Sequence, residues 1–559
     1  MKKELFLLVQ LLLVLYTGSR AQAVPDNTEG RLWRLCKVSG YLRYYSPNTC
    51  RINWDSLLQQ TIPLVKNATS NAAFNDHMDQ FLQYAGQIPA TLATLPPVVD
   101  SNMNLQLAWT DDPAFSVAVR DFLDTFKCRA GYNDSLECRL IRNQYRDPAY
   151  RSYVDFSKDK LSCVTSDSLE ADRLLQLFYY WNAFNYLGPY RNLADQSWDS
   201  VLLQAISEVM AAPTTTAFVK ALAGMQSRLD DSHGFFKSEA LRLFPGSFTG
   251  LRLRWVENKI IVDRVMPDIP GVSTGDELLA IDGVPVATIV NSYHDLYPSS
   301  NEPAFYREAC SLLVRGPGKG RRSFMFRNAS AHTYTRDIND TLDGAQWSRW
   351  LTQTDRMPVW TTLCNGYGYV NMGKLMPEQV DSMYAALKDK PAIVFDVRNY
   401  PNGTMAELAR YLFSAPVTTA LIFRPNLKAP GWFSRDNDNT NLGTWSNPHP
   451  YKGRLYFMVN EMTQSHAEYT VQYLSHAPGA IVVGSQTAGA DGNINIINHQ
   501  DKTFWFTGLG WYYDDGYQCQ RNGLKIDQVV RPTIASMRAG RDEVLESITG
   551  CPIVDNKNK

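Results

Sequence analysis

The stretch Leu455-Tyr-Phe-Met-Val-Asn-Glu-Met-Thr-Gln-Ser-His-Ala-Glu468 decides how the second half of the chain folds. Its first five residues are apolar without alternation, the pattern of a strand buried on both faces. The run breaks at Asn460, and helical spacing begins near Ala467 and continues to His476, so a loop delivers Ser465 to the start of a helix. Ala392-Ile-Val-Phe-Asp-Val397 and Ala480-Ile-Val-Val483 repeat the strand pattern on either side, and Met405 to Phe413 reads as another helix. Strand, helix, strand, helix, strand is the order of an α/β core, here from about Val359 onward. Ligands of such cores sit in loops at the carboxyl ends of the strands.

Upstream the texture differs. After Phe244-Pro-Gly-Ser, the runs Gly250-Leu-Arg-Leu-Arg-Trp255 and Lys259 to Val265 alternate with period two, as half-buried strands do. Gly275-Asp-Glu-Leu-Leu-Ala-Ile-Asp-Gly283, Val284-Pro-Val and a helical stretch near Phe305 to Leu313 follow. This string resembles the PDZ domain. The resemblance implies capture of an extended peptide at a sheet edge, its terminal carboxylate held by amides of the loop Thr249-Gly-Leu-Arg252, with Gly250 and Leu251 at its centre. A small sandwich that only spaces its neighbours fits the same residues. Before this unit the chain reads as mainly helical and carries a repeat: Arg31 to Val65 lies over Arg173 to Val209. Tyr44 and Pro47 match Tyr186 and Pro189, and Trp54-Asp-Ser56 matches Trp198-Asp-Ser200. Each copy reads as helix, turn, helix, with the proline ending the first helix and the Asp or Ser after Trp capping the second. The connection from Asp134 to Asp167 has no clear pattern.

Composition narrows the class. At about 150 residues per domain, 559 residues suggest roughly three or four domains. Hydrophobic residues at 44% and aromatics at 12% speak for folded cores, and a net charge of -1 offers no bulk attraction to nucleic acid or anionic lipid. Lys2 and Lys3 precede an apolar run from Leu5 to Tyr16 and a small-residue site, Ala21-Gln-Ala23. That is the layout of a removed secretory signal over residues 1–23, too short for the roughly twenty residues that span a bilayer. An exported protein, periplasmic or secreted and without stable membrane insertion, is expected. In that setting the nine cysteines can form disulfides. Cys36 with Cys50 and Cys128 with Cys138 are the closest pairs, though spacing does not set connectivity. No CxxC or Cys/His cluster occurs, so neither a metal nor a cofactor is expected.

Three loops carry the candidate chemistry. Ser465 sits where strand passes into helix, beside the first helical amides, which suits a nucleophile and its oxyanion. Ser-x-x-Glu468 is equally a capping box, and the residues alone leave both readings open. In Asp396-Val-Arg-Asn-Tyr-Pro-Asn-Gly-Thr404, Asn402-Gly403 permits a left-handed turn and a free amide, half of an oxyanion site with the His466 amide or an ordinary turn. Gly484 to Gly492 is glycine-rich but lacks the phosphate-binding pattern.

The three loops in this order resemble the serine peptidase family that includes the C-terminal processing (tail-specific) peptidases and the tricorn core. The resemblance covers about residues 220 to 550. It implies a multidomain α+β protein: a helical region at 24–242, a PDZ-like domain at 243–338 and an α/β core of the ClpP/crotonase-like kind at 339–555. It also implies a polypeptide substrate, Ser465 as nucleophile, and the amides of Gly403 and His466 as oxyanion donors, the His466 ring facing solvent. In one branch the base is a lysine that follows the last glycine of Thr-x-Gly. Ala490 stands there. In the tricorn-like branch the base is a histidine that follows a serine, matched by Asp230-Asp-Ser-His-Gly234, so His233 becomes the base and Ser232 its orienting partner. Without the resemblance, His233 reads as a helix C-terminal residue before a glycine cap. That branch also uses a glutamate where this chain has Gln520, which holds Ser232 but carries no charge. Asp491, Asp514 or Asp515 would then have to supply the acid, or the chain is a catalytically weak or inactive peptide-binding protein on the same scaffold.

Overall fold

The computed structural model describes residues 24–552 except 87–100, 104, 130–135, 137, 143–152, 242–245, 317, 319, 355–356 and 439–444. The signal segment, the switch point at Phe244 and much of the unassigned connection lie outside the described residues. No helix among the described residues is long and apolar enough to cross a membrane.

The repeat is a matched pair of helical hairpins. Helices α1 (Thr28–Tyr45) and α2 (Trp54–Lys66) have 18 and 13 residues, and α3 (Glu170–Leu187) and α4 (Trp198–Met210) have the same lengths. The caps stand before the tryptophans, not after them: Asn53 accepts from the Ser56 amide and Ser197 from the Ser200 amide. A cap oxygen must reach amides two or three residues ahead, so Asp55 and Asp199 fall inside the first turn, where a carboxylate complements the helix dipole. The indole N–H groups of Trp33 and Trp181 donate to the carbonyls of Asp199 and Trp198, locking α1 and α3 onto α4. Helix α5 (Thr215–Ser227) follows, then the short strand β1 (Phe235–Lys237).

The β-rich unit contains β2 (Leu251–Val256), β3 (Lys259–Val265), β4 (Glu277–Ile281), β5 (Arg321–Arg327) and β6 (Thr333–Asn339). They form an antiparallel sheet in the order β6-β5-β4-β3-β2, with Val284–Pro285 paired to β4. Helix α6 (Glu302–Leu313) covers one face and packs on β2. Leu251 and Leu253, Ile260 and Val262, and Phe324 and Phe326 make its core together with Phe305 and Leu313 of α6; the strand residues alternate with period two, as expected of strands with one solvated face.

In the core, β7 (Trp360–Thr362), β8 (Gly368–Asn371), β9 (Ala392–Asp396), β10 (Arg454–Val459), β11 (Ala480–Gly484) and β14 (Gln528–Val529) form one sheet in that order. It is parallel from β8 to β14. Ile393, Phe395, Leu455 and Phe457 face helices α7 (Met405–Leu412) and α8 (His466–Leu474), whereas Val394, Tyr456, Met458 and Val483 face α9 (Glu543–Thr549). Burial of both faces explains the unalternating apolar runs. Asp396 pairs with Met458 and Val459 with Gly484, so the strand ends align and their loops lie side by side.

One hairpin leaves this core. Strands β12 (Ile494–His499) and β13 (Lys502–Thr507) reach into the helical region, where Ile497, Phe504 and Phe506 join its apolar cluster and β13 pairs with β1. At roughly 1.5–3 kcal/mol per large apolar side chain buried, these three alone hold the two regions firmly together. Disulfides join Cys50 to Cys138 and Cys364 to Cys551, so neither pair closest in sequence is bonded. Cys36 is a buried free thiol in α1 and Cys128 an exposed one. Spatial approach, not spacing, sets the pairing.

Candidate active site

Ser465 precedes α8 with φ 58° and ψ -124°. An ordinary N-cap lies in the extended region, and a side-chain-bearing residue in this conformation costs about 1–3 kcal/mol unless its surroundings impose it. They do so through two bonds: the Ser465 amide donates to the Ala490 carbonyl at 2.9 Å and to Glu468 Oε2 at 3.2 Å. Glu468 is fully buried and also accepts from Thr487 Oγ1 and from the amides of Gly489 and Ala490. Burial pushes its carboxyl up, and the bonds from Thr487, Gly489, Ala490 and Ser465 pull the other way. The glutamate of the capping box therefore ties the Ser465 turn to the Gly484–Gly492 loop.

The loop after β9 lies against the same helix end. Asn402 Nδ2 donates to the carbonyls of Gly373 and Leu375, each at 3.1 Å, and Gly403 takes φ 76°. The Gly403 and His466 amides have no protein acceptor among the described residues, the condition for binding an external anion. Tyr400 stands with its ring 6.1 Å from the His466 ring. That imidazole is half-buried, not solvent-facing, and burial holds its pKa below the ordinary value.

His233 is not a helix cap. Helix α5 ends at Ser227, and His233 lies in a separate turn closed by the Gly234 amide donating to the Asp231 carbonyl at 2.7 Å. Gly234 is required there, because a Cβ would come within 2.5 Å of Pro298 Cγ. Immediately beyond it, Phe235 pairs with Trp505, which carries the turn to the end of the hairpin at Thr507. His233 Nδ1 is 3.0 Å from Thr507 Oγ1, and that hydroxyl is 2.9 Å from Asp231 Oδ1. A carboxylate only accepts, so the Thr507 proton points to Asp231 and its lone pair receives Nδ1–H. The Nε2 atom of His233 is thereby left unprotonated. Asp231 is buried and also accepts from the amides of His233 (3.0 Å) and Thr507 (2.7 Å) and from Gln520 Nε2 (3.1 Å). Burial lowers the His233 pKa, the Asp231 charge raises it and the Arg307 charge lowers it, for a net downward shift.

This arrangement corrects two expectations. Ser232 does not orient the imidazole, because its hydroxyl accepts from the Ser300 amide at 2.8 Å and donates to the Ala488 carbonyl at 3.2 Å. Gln520 holds Asp231 instead of Ser232. A side-chain amide can donate to a carboxylate; a glutamate at that position could not without a proton of its own. Asp514 pairs with His476 and Asp515 with Lys525 at the surface, so neither serves His233. Sequence reasoning missed Asp231 and Thr507. The first stands two residues before the histidine; the second ends an alternating run whose turn, Gln500-Asp501, carries no glycine signal.

The segments that carry Ser465 and His233 meet one residue from each. Gln464 Nε2 donates to the Ser232 carbonyl at 3.1 Å, while Arg307 Nη2 donates to Gln464 Oε1 at 2.7 Å. Arg307 Nη1 also binds the Glu461 carbonyl at 2.9 Å, and Arg254 of β2 binds the Glu461 carboxylate at 2.9 Å. All three regions thus converge on the turn before Ser465. A cleft of about 260 Å³ opens between Gln464 and the Ser232–Gly234 turn. By contrast, Gly250 and Leu251 are buried, and the neighbouring Thr249 amide is committed to the Val314 carbonyl.

A strained serine at a helix N-terminus of an α/β sheet, with two unpaired amides and a histidine segment bonded to its turn, defines a serine-type peptidase. Residues 366–530, which lie within the α/β core, match the model of peptidase family S41. The mature form of CPAF, solved in complex with lactacystin, has the same fold with a TM-score of 0.52 and 15% identity, over 66% of this chain and 95% of that one. The photosystem II D1 C-terminal processing protease matches at TM-score 0.39 and 15% identity, over 69% of this chain and 97% of that one. A putative peptidase from Parabacteroides merdae matches at TM-score 0.42 and 13% identity, over 67% and 95%. No curated protein matches the chain by sequence.

Proposed function

We propose that this protein is an exported serine endopeptidase in which Ser465 attacks a peptide carbonyl, His233 is general base and then general acid, and the Gly403 and His466 amides hold the oxyanion. The observation that carries this reading is the left-handed backbone of Ser465, a strain with no purpose in a simple cap. As Oγ bonds to the carbonyl carbon, its proton passes to His233 Nε2. The imidazolium is stabilised by Asp231 through the Thr507 hydroxyl. The proton then goes to the departing amine, and water resolves the acyl-enzyme by the reverse relay. Gln520 donates to Asp231 and keeps it aligned. The peptide-binding alternative drew its support from Gln520, and a carboxylate at position 231 takes that support away. Export is favoured by the leader pattern and by the two disulfides, which persist in oxidising compartments. The β-rich unit, with a helix packed beside its edge strand β2, is assigned a PDZ-like role in presenting the substrate chain, with the Gly250 and Leu251 loop as its carboxylate site once opened.

Cleavage of an unfolded polypeptide and labelling by a serine-directed fluorophosphonate test the assignment. The parent protein should show both, Ser465→Ala neither, and His233→Ala only traces. A well-folded parent that neither cuts nor labels, or a Ser465→Ala variant as active as the parent, overturns it.

A further inference from the structure

The cleft beside His233 has a composition that selects among peptides. One wall is Phe235 on β1 and Trp505 on β13, with ring centroids 5.0 Å apart, continued by Ile494 at the start of β12. The facing wall is Leu296, Tyr297 and Pro298 from the β-rich unit. Pro298 abuts Gly234 and closes the end near the imidazole. Among the described residues the lining carries, besides the His233 ring, one carboxylate, Glu308. Its carboxylate lies 2.8 Å from Arg307, and Arg307 is further engaged by Glu461 and Gln464. The two charges offset each other, so this wall carries no net charge to attract an ionised side chain.

Placing an unpaired ammonium or carboxylate against such walls costs several kcal/mol, whereas an apolar side chain gains from leaving water. At about 260 Å³ the cleft is sized for a single side chain. We infer that this cleft is a specificity site that accepts an uncharged aromatic or long aliphatic side chain next to the scissile bond and rejects acidic and basic ones. The inference rests on the peptidase reading above and adds to it the substrate class. The contributions of Phe235 and Trp505 come from two segments far apart in sequence, so the site exists only when β1 and β13 pair.

The full chain is tested on a peptide library derived from whole-cell protein, with cut sites read by mass spectrometry and Ser465 labelled in parallel by fluorophosphonate. Phe, Tyr, Trp, Leu and Met together should exceed Asp, Glu, Lys and Arg about tenfold next to the cleaved bond. Trp505→Ala should erase most of the aromatic share. If that variant fails to fold, Leu296→Lys on the partly exposed wall should raise the share of Asp and Glu about tenfold. A labelled protein that cuts without preference, or an unchanged preference in the folded variants, overturns the inference and leaves the peptidase reading standing. Absence of both label and cleavage overturns the peptidase reading, and the inference with it.

Discussion

Ser197 and Ser465 occupy the same formal position, the residue before the first turn of a helix, in the helical region and in the α/β core. Their backbones differ completely. Ser197 has φ -57° and ψ 129° and caps α4 by accepting from the Ser200 amide. Ser465 has φ 58° and ψ -124°, and its turn is imposed from outside by Ala490 and Glu468. A cap lowers the energy of its own helix. A strained serine is held by other parts of the molecule, and the energy spent on holding it implies use at that spot.

The sharpest way to break this contrast is to remove each serine. Ser465→Gly should abolish peptide cleavage, a fall of 10⁴-fold or more on the order seen when a nucleophile is lost, yet stabilise the fold by about 1 kcal/mol because glycine accepts the left-handed conformation. Peptide turnover and urea unfolding measure the two effects. A less extreme loss is expected from Asp231→Asn, roughly 10³- to 10⁴-fold in kcat/KM, since the His233 tautomer and its charge stabilisation both suffer. Because the base must be neutral and burial lowers its pKa, the parent should lose activity only as pH falls below the ordinary histidine value of 6.5. Asp231→Asn removes a charge that raises that pKa, so the acid limb of the pH profile should move lower still.

Thr507→Val, which keeps the shape and deletes the hydroxyl, should cost about 10- to 100-fold in kcat/KM with little change in KM, the size of one lost hydrogen bond in a relay. Gln520→Glu distinguishes a donor from a degenerate acid. Placed where Gln520 Nε2 is 3.1 Å from Asp231, a second carboxylate would be repelled, so activity should drop about tenfold. A gain would show that Gln520 is a defect. Smallest of all, Ser197→Ala should cost about 1 kcal/mol of stability and leave cleavage unchanged.

Parts of this molecule are plain in its residues. The paired helical hairpins are visible in the tyrosine, proline and tryptophan matches, and the buried strands in unbroken runs such as Ala392 to Val397. Local rules suffice for these, because helical period and two-sided burial act over a few residues. Ser465, Gly403 and the Gly484–Gly492 loop were legible for a related reason: each follows its own strand. The orienting partners of His233 were not. Ser232, adjacent in sequence, was the natural candidate, but its hydroxyl is consumed by Ser300 and Ala488.

The residues themselves determined an α/β core with chemistry at its strand ends, a helical repeat before it and a β-rich unit between, because each follows from short-range pattern. Only the tertiary structure decided that Asp231, Thr507 and Gln520 share one hydrogen-bonded chain behind His233, and that Phe235 and Trp505 join in one wall of a cleft faced by Leu296, Tyr297 and Pro298. The physical reason is the hairpin Ile494 to Thr507. One face of it buries Phe504 and Phe506 among distant helices, and its pairing with β1 brings the far upstream histidine turn to the core, where Gln464 and Ala488 bind Ser232.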